Sequence, residues 1–477
     1  MSEAQQQPTA PPLTEAKKRD AIAKIARDNI LIFTKLCDPK YIIGRVHRYL
    51  AQKFRAVAEG KIKRLIVNLP PQHGKSRLTA VEFATWMLGR NPALNIVLTS
   101  YSGDLAKDRS GEARNRVGSE TYREIFDTRL AARWQPRSGW MTSGGGSFRA
   151  VGITGTLTGR PCDMLIIDDP HKDFGEANSP TMRESVWQWY LSTAFTRLAP
   201  NGVIVIIMTR WHTDDLVGRL TDPARVAELR DAGHEDAAFD VVNLEALAPD
   251  KDDLLGRAPG EALFPERYHV KRLAEIRATL TAYLWSALYC GRPVPMGGHY
   301  IDSADFHVVG DDDVPADLFW VRYWDLATSE NAMADYTRSV RVALDEQGNL
   351  WIAGGIGGQW EWPKSRAMMK ATAEAERIIV GIEAVAGFKT AFANAREVIS
   401  ADIMLIETSV EKDKLTRALP WIALTENRKT FVVRGEWITS FFAECEQFPM
   451  GAHDDWIDAV SGGYALAKNH KREIWVA

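Results

Sequence analysis

Gly74-Lys75-Ser76 closes the stretch Leu69-Pro70-Pro71-Gln72-His73, with an apolar run at 65–68 before it and a helical pattern at 77–88 after it. A strand, a tight loop and a helix start in that order suit a phosphate-binding loop, where backbone N–H groups and the helix N-terminus hold the anion. In such a loop Gln72, His73 and Gly74 lie against a nucleotide, Lys75 reaches its β- and γ-phosphates, and the Ser76 hydroxyl binds Mg²⁺. Leu69 stands where the first glycine is usual and two prolines occupy the loop, so these residues alone also fit a plain strand-to-helix turn.

A second pattern supports the first. Met164 to Ile167 is an apolar run that delivers Asp168 and Asp169 at its end. Ligands of open α/β sheets sit at the C-terminal ends of strands. Asp168 is placed to hold Mg²⁺ and Asp169 to polarise the water that attacks a γ-phosphate, so ATP with Mg²⁺ is the expected ligand pair. A third strand end, Thr209-Arg210-Trp211 after the run at 202–208, offers Arg210 as a further nucleotide contact.

Acidic residues in the C-terminal half point to different chemistry. Asp325 follows the run at 319–324 and Glu383 the run at 378–382. Asp454, Asp455 and Asp458 open a helical segment, with Asp454 and Asp458 on one face at i,i+4. Carboxylates from two strand ends and one helix can hold two Mg²⁺ or Mn²⁺ ions about 4 Å apart, the arrangement for in-line phosphodiester cleavage. Oxygen-only ligands suit such hard cations. Spacing alone leaves open that these acids are simply solvated.

The elements that must position these residues are continuously apolar strands alternating with helical stretches, among them 95–99 and 104–117. That alternation predicts an α/β fold with a mainly parallel sheet covered by helices. A Pro/Asp/Gly-rich stretch at 248–260, a helical pattern at 270–289 and breakers at 291–298 mark a boundary. Beyond it, strand patterns at 340–344 and 350–353 flank the turn Gln347-Gly348-Asn349, and a further strand is expected at 403–406. The expected organisation is a flexible tail at 1–28, an ATPase domain at 29–247, a linker at 248–298 and a second α/β domain at 299–477.

Composition sets limits. The chain has 477 residues, 45% hydrophobic and 25% charged, with a net charge of -3, which excludes a uniformly basic DNA-coating protein but not one basic face. Cys37, Cys162, Cys290 and Cys445 form no CxxC pair, so neither a zinc knuckle nor a disulfide framework is expected. No apolar run nears the ~20 residues of a membrane span, and residues 1–12 lack the apolar core of a signal peptide.

In order, Pro-Pro-Gln-His-Gly-Lys-Ser at 70–76, Leu-Ile-Ile-Asp-Asp-Pro at 165–170, Thr-Arg-Trp-His at 209–212, Trp-Asp-Leu-Ala-Thr at 324–328 and His-Asp-Asp-Trp-Ile-Asp-Ala at 453–459 resemble a tailed-phage terminase large subunit. The resemblance runs over about 29–466 and includes 284–295, which is similar to the family's joining segment. It implies an N-terminal P-loop motor ATPase and a C-terminal ribonuclease-H-like nuclease that cut concatemeric viral DNA and pump it into a procapsid. The implied partners are double-stranded DNA, a portal protein, a small terminase subunit and further copies in a ring. The implied place is the host cytoplasm and, transiently, the procapsid portal, neither in a membrane nor in the finished virion.

By the same resemblance Lys75, Ser76 and Asp168 take the nucleotide and Mg²⁺ roles, Thr209 to Trp211 couple hydrolysis to movement, and Asp325, Glu383 and the Asp454/Asp455 pair are nuclease metal ligands. Many relatives carry Glu where Asp169 stands, and the loop lacks the arginine some relatives place there. Arg149 and Arg160 are candidates for an arginine offered to a neighbouring subunit, and His47 and Arg48 near Tyr49 for an adenine cradle. Basic residues for DNA are Lys61, Lys63 and Arg64, then Lys107, Arg109, Arg114 and Arg116, then Lys468, Lys471 and Arg472. Two competing readings are an ATP-binding assembly scaffold with structural acids, and a helicase-like repair ATPase fused to a nuclease.

Overall fold

The computed structural model describes residues 14–132, 135–153, 155, 161–234, 237–294, 300–326, 336–384, 389–409, 413–449, 451 and 453–470. Residues 1–12, 295–298 and 327–328, with Arg160, Lys471 and Arg472, lie outside them. The chain divides into two compact units, Met1–Leu273 with Ser286–Val294, and Ala274–Trp285 with Pro295–Ala477.

The first unit is built on β1 (Arg64–Asn68), β2 (Asn95–Ser100), β3 (Gly139–Met141), β4 (Ser147–Gly152), β5 (Cys162–Asp168), β6 (Leu198–Met208) and β7 (Asp240–Asn243). They form one sheet in the order β3-β4-β2-β5-β6-β1-β7, parallel throughout except where β3 pairs antiparallel with β4. Successive side chains of a strand leave opposite faces. Accordingly Leu65, Val67, Leu98, Ile166 and Val205 pack with Phe33, Phe54, Phe83 and Trp86, while Ile66, Val97, Leu165, Ile167 and Ile206 pack with Trp189, Tyr190 and Leu216. Both faces are apolar because both are covered, which is why the strands read as continuous hydrophobic runs.

The second unit holds β8 (His307–Val309), β9 (Val321–Asp325), β10 (Thr337–Leu344), β11 (Leu350–Gly358), β12 (Ile379–Ala384), β13 (Leu405–Ser409) and β14 (Thr430–Val433), ordered β13-β12-β9-β10-β11-β14-β8. Here β10 is antiparallel to β9 and β11 and the remaining pairs are parallel, so the sheet is mixed. Helix Asp455–His470 lies on β9 and β10 with almost no clearance. A Cβ on Gly462 would stand 2.1 Å from Tyr323 Cζ, and one on Gly463 2.6 Å from Val342 Cγ2.

Three expectations are corrected. The tail does not extend to residue 28, because Glu15–Asp28 is a helix with Ala23 and Ala26 buried and the Ala26 carbonyl accepting from Trp86 Nε1 at 3.1 Å. The first part of the expected linker, 248–273, belongs to the first unit: Leu263 and Phe264 join its core, tied by Leu263 N–H to the Ala246 carbonyl at 2.8 Å. The helical pattern at 270–289 breaks into Val270–Arg277, Ala282–Leu284 and Trp285–Tyr289, because Thr281 Oγ1 accepts the Leu284 N–H at 3.2 Å and starts a new helix.

Candidate functional sites

The loop between β1 and the helical run that begins at Arg77 is shaped by its own side chains. Gln72 and Gly74 take positive φ values of 59° and 86°. Gly74 also passes close under a ring, since a Cβ there would meet His47 Nε2 at 2.8 Å, so only glycine fits both demands. His73 is buried, stacks on Tyr268 with centroids 4.8 Å apart, and bonds the Pro71 carbonyl through Nδ1 at 2.9 Å. The Tyr268 hydroxyl donates to Gln72 Oε1 at 2.8 Å. Burial pushes His73 down to about 4, so the ring is neutral at pH 7 and braces the loop from beneath.

At the end of that loop Lys75 donates to Thr209 Oγ1 at 2.6 Å and pairs with Asp169 at 3.1 Å. Ser76 donates to Asp168 Oδ1 at 2.8 Å. Residues from the ends of β1, β5 and β6 therefore meet at one point, as the parallel order of these neighbours requires. Asp168 is buried, and desolvation, reinforced by the Asp169 charge, holds its carboxyl above the usual range. Asp169 sits at φ 45° with Oδ1 accepting the Thr209 N–H at 2.8 Å. The hydroxyl of Ser76 and the carboxylate of Asp168 form an oxygen donor pair that fits Mg²⁺.

A cavity of about 540 Å³ opens over this point, lined by Gln72, Gly74, Lys75, Ser76, Asp169 and Thr209 together with Arg77, Tyr101, Arg109, His171, Lys172, Trp211 and Arg267. Sequence reasoning missed the second group for this role, Trp211 apart. The sequence puts Arg109 in a basic row on its helix, but that row disperses. Lys107 pairs with Asp104 at 2.9 Å, Arg116 with buried Glu82 at 2.6 Å, and Arg114 bonds the Gln135 carbonyl. His171 is buried beside the cavity with neither ring nitrogen bonded, the one cue to it being its place directly after Asp168-Asp169-Pro170.

Arg210 is not among the residues that line this cavity. Its Nε donates to both oxygens of Asp215, at 2.9 and 2.8 Å. Asp215 is fully buried and caps helix Leu216–Leu220, so it takes the nearest guanidinium. His47 is a core residue that accepts the Gly44 N–H at 3.0 Å, burial pushing it down to about 4, and Arg48 lines a different cavity of about 650 Å³. Arg149 is half-buried on β4.

In the second unit, Asp325 and Glu383 come from the adjacent strands β9 and β12 and face the start of helix Asp455–His470. Asp325 is held well above the usual carboxylate range, first by loss of solvent and then by Asp458, Glu383 and Asp455, in that order. The expected acids are thus gathered. Among the described residues no three His, Cys, Asp or Glu side chains converge tightly enough to hold an ion as they stand. Two basic residues missed in the sequence stand between them: Lys414, 2.6 Å from Asp454, and Arg417, 2.7 Å from Asp458 and 3.4 Å from Glu383. The donor set is all carboxylate, and Asp455 Oδ2 is buried without a hydrogen bond, so the residues fit a hard divalent cation.

Residues 66–284 match the family model "Terminase large subunit, T4likevirus-type, N-terminal" and residues 362–467 match "Terminase RNaseH-like domain", together more than half of the chain. The chain belongs to the phage terminase large subunits. As in that family, an ATPase domain precedes a ribonuclease-H-like domain, and the function is viral DNA packaging. The large terminase of a thermophilic bacteriophage is 12% identical, covers 87% of this chain and 98% of its own, and superposes with a TM-score of 0.52, a likeness of fold. The HK97 bacteriophage large terminase (14% identity, 95% and 100% coverage, TM-score 0.39) is also similar, as is the magnesium-bound nuclease of thermophilic phage G20c (15% identity, 36% and 98%, TM-score 0.28). No curated protein matches the chain. No described helix is long and apolar enough to cross a membrane.

Proposed function

We propose that the first site hydrolyses ATP to move double-stranded DNA and that the second cuts it with Mg²⁺ or Mn²⁺. The observation that carries the first half is the meeting of Lys75, Asp169 and Thr209 beside the Ser76–Asp168 pair. Loop N–H groups and Lys75 take the β- and γ-phosphates, Ser76 and Asp168 hold Mg²⁺, which neutralises phosphate charge when bound, and Asp169 orients the attacking water. Thr209 shares a hydrogen bond with Lys75, so a change at the phosphates reaches the end of β6, and through Arg210 the Asp215 cap.

In the second site Asp325, Glu383, Asp454 and Asp455 are the metal-holding set, with Asp458 beside them. A scaffold whose acids are structural would pair each of them with a cation, as Asp458 is with Lys414 and Arg417, whereas Asp325 is withdrawn from water and crowded first by other carboxylates, Asp458, Glu383 and Asp455. Portal protein, small terminase subunit, a ring of copies and a transient place on the procapsid belong to the same reading. In the full chain, Lys75→Ala abolishes ATPase and spares Mn²⁺-dependent plasmid cleavage, while Asp325→Asn does the reverse. Full ATPase in the first variant removes the nucleotide assignment, and undiminished cleavage in the second removes the nuclease assignment.

A further inference from the structure

The acids of the second unit already have cationic partners. Lys414 Nζ lies 2.6 Å from Asp454 Oδ1 and 3.1 Å from Asp458 Oδ2. Arg417 reaches the other Asp458 oxygen at 2.7 Å and Glu383 Oε2 at 3.4 Å. Both come from helix Lys414–Glu426, whose N-cap Asp413 accepts the Thr416 N–H at 2.9 Å and fixes where the helix starts.

The two cations sit differently. The Lys414 side chain is 54% exposed and that of Arg417 15%. An ammonium on a flexible stem holds its partner as a point charge and can swing away, whereas a buried guanidinium fork is fixed by its geometry. Half-exposed ion pairs are weak, but removing the partner of a buried carboxylate is costly. Of the two carboxylates Lys414 holds, Asp454 is the more exposed, at 29% against 7% for Asp458, so a hard cation entering from solvent meets the Lys414–Asp454 pair first.

We propose that Lys414 is an exchangeable counter-ion of this cluster: its ammonium neutralises Asp454 and Asp458 while no divalent cation is bound and swings into solvent when one binds, whereas Arg417 stays and positions Glu383 and Asp458. The inference rests on reading the cluster as the metal-dependent nuclease site. It explains why the carboxylates are gathered without converging. Ammonium and divalent ion compete for the same oxygens, so the cluster stays compact in either state.

Calorimetric titration of the full chain with Mn²⁺, without nucleotide or DNA, tests it. The relevant uptake is the part that Asp325→Asn abolishes. Lys414→Met binds that ion about two- to fivefold more tightly than wild type, the scale of losing a half-exposed competing charge, and its metal-free form melts at lower temperature. Lys414→Gln behaves like the Met variant, Lys414→Arg stays near wild type, and Arg417→Met binds more weakly. Wild-type or weaker affinity in both Lys414→Met and Lys414→Gln overturns the exchange while leaving the nuclease reading intact. If neither wild type nor the Lys414 variants take up Mn²⁺ in a way that depends on Asp325, the nuclease reading falls and the exchange with it.

Discussion

Lys75 and Asp169 are paired at 3.1 Å across the floor of the nucleotide cavity, and the same aspartate accepts the Thr209 N–H at 2.8 Å. The loop lysine is therefore committed to protein partners. On the proposed ATPase reading, nucleotide entry exchanges the Asp169 carboxylate for a phosphate around one ammonium.

That exchange gives Asp169→Asn two separable effects. Removing the carboxylate frees Lys75, so ATP affinity holds or improves. Hydrolysis falls by about 10²–10⁴-fold, the range for loss of a positioned proton acceptor. Fluorescent-nucleotide binding and phosphate release measured on the same preparation check this, and full turnover would remove Asp169 from the chemistry.

His171 offers a test of an orphaned group. Both ring nitrogens are buried and unbonded, and a buried unsatisfied polar group costs roughly 1–3 kcal/mol. His171→Phe keeps the volume and removes the nitrogens, so the nucleotide-free first unit gains about 1 kcal/mol while ATPase falls about tenfold if a nitrogen serves nucleotide or water. Denaturant midpoints read the first effect and turnover the second. A loss of stability would mean that the nitrogens were bonded after all.

Acid sensitivity follows from His47 and His73, both pushed down to about 4 by burial. Unfolded histidine titrates near 6.5, so between about 6.5 and 4 the unfolded chain binds protons that the folded chain refuses. The stability of the first unit is therefore complete above about 6.5 and declines as pH falls toward 4, by up to about 3 kcal/mol per ring. Unfolding midpoints from pH 7.5 to 4.5 should show this slope and a shallower one in His73→Gln. A flat wild-type profile would show that neither ring is neutral in the fold.

Gly462 controls how closely the acid-bearing helix lies on β9. Its missing Cβ would collide with Tyr323 at 2.1 Å, so Gly462→Ala destabilises the second unit by about 1–3 kcal/mol. It also lifts Asp455 and Asp458 away from Asp325. Plasmid cleavage then drops while ATPase stays at the wild-type level, and equal loss of both activities would point to general misfolding instead.

Legibility in the sequence tracked contiguity. Buried parallel strands such as β1, β5 and the inner half of β6 show as unbroken apolar runs, and Lys75, Ser76, Asp168 and Asp169 lie in short local motifs at their ends. The short strands β3, β7, β8 and β14 gave too little periodicity to read. Arg109, Arg267, Lys414 and Arg417 reach their sites only through long-range packing, and nothing near them in sequence announces the destination. Arg210 is held off the cavity lining for a local reason, a buried carboxylate five residues on that takes its charge. The helix at Glu15–Asp28 was hidden because it buries alanines, which leave almost no hydrophobic stripe.

The left-handed backbone at Asp169 bears on the departure noted in the sequence, an aspartate where many relatives carry glutamate. At φ 45° the carboxylate reaches both the Thr209 N–H and Lys75, and short Asp or Asn tolerate that conformation far better than longer residues. Orientation here substitutes for length. Lengthening the arm by one methylene without reshaping the bend would carry the carboxylate past Lys75, so the nominally conservative Asp169→Glu is a change of direction and not of reach.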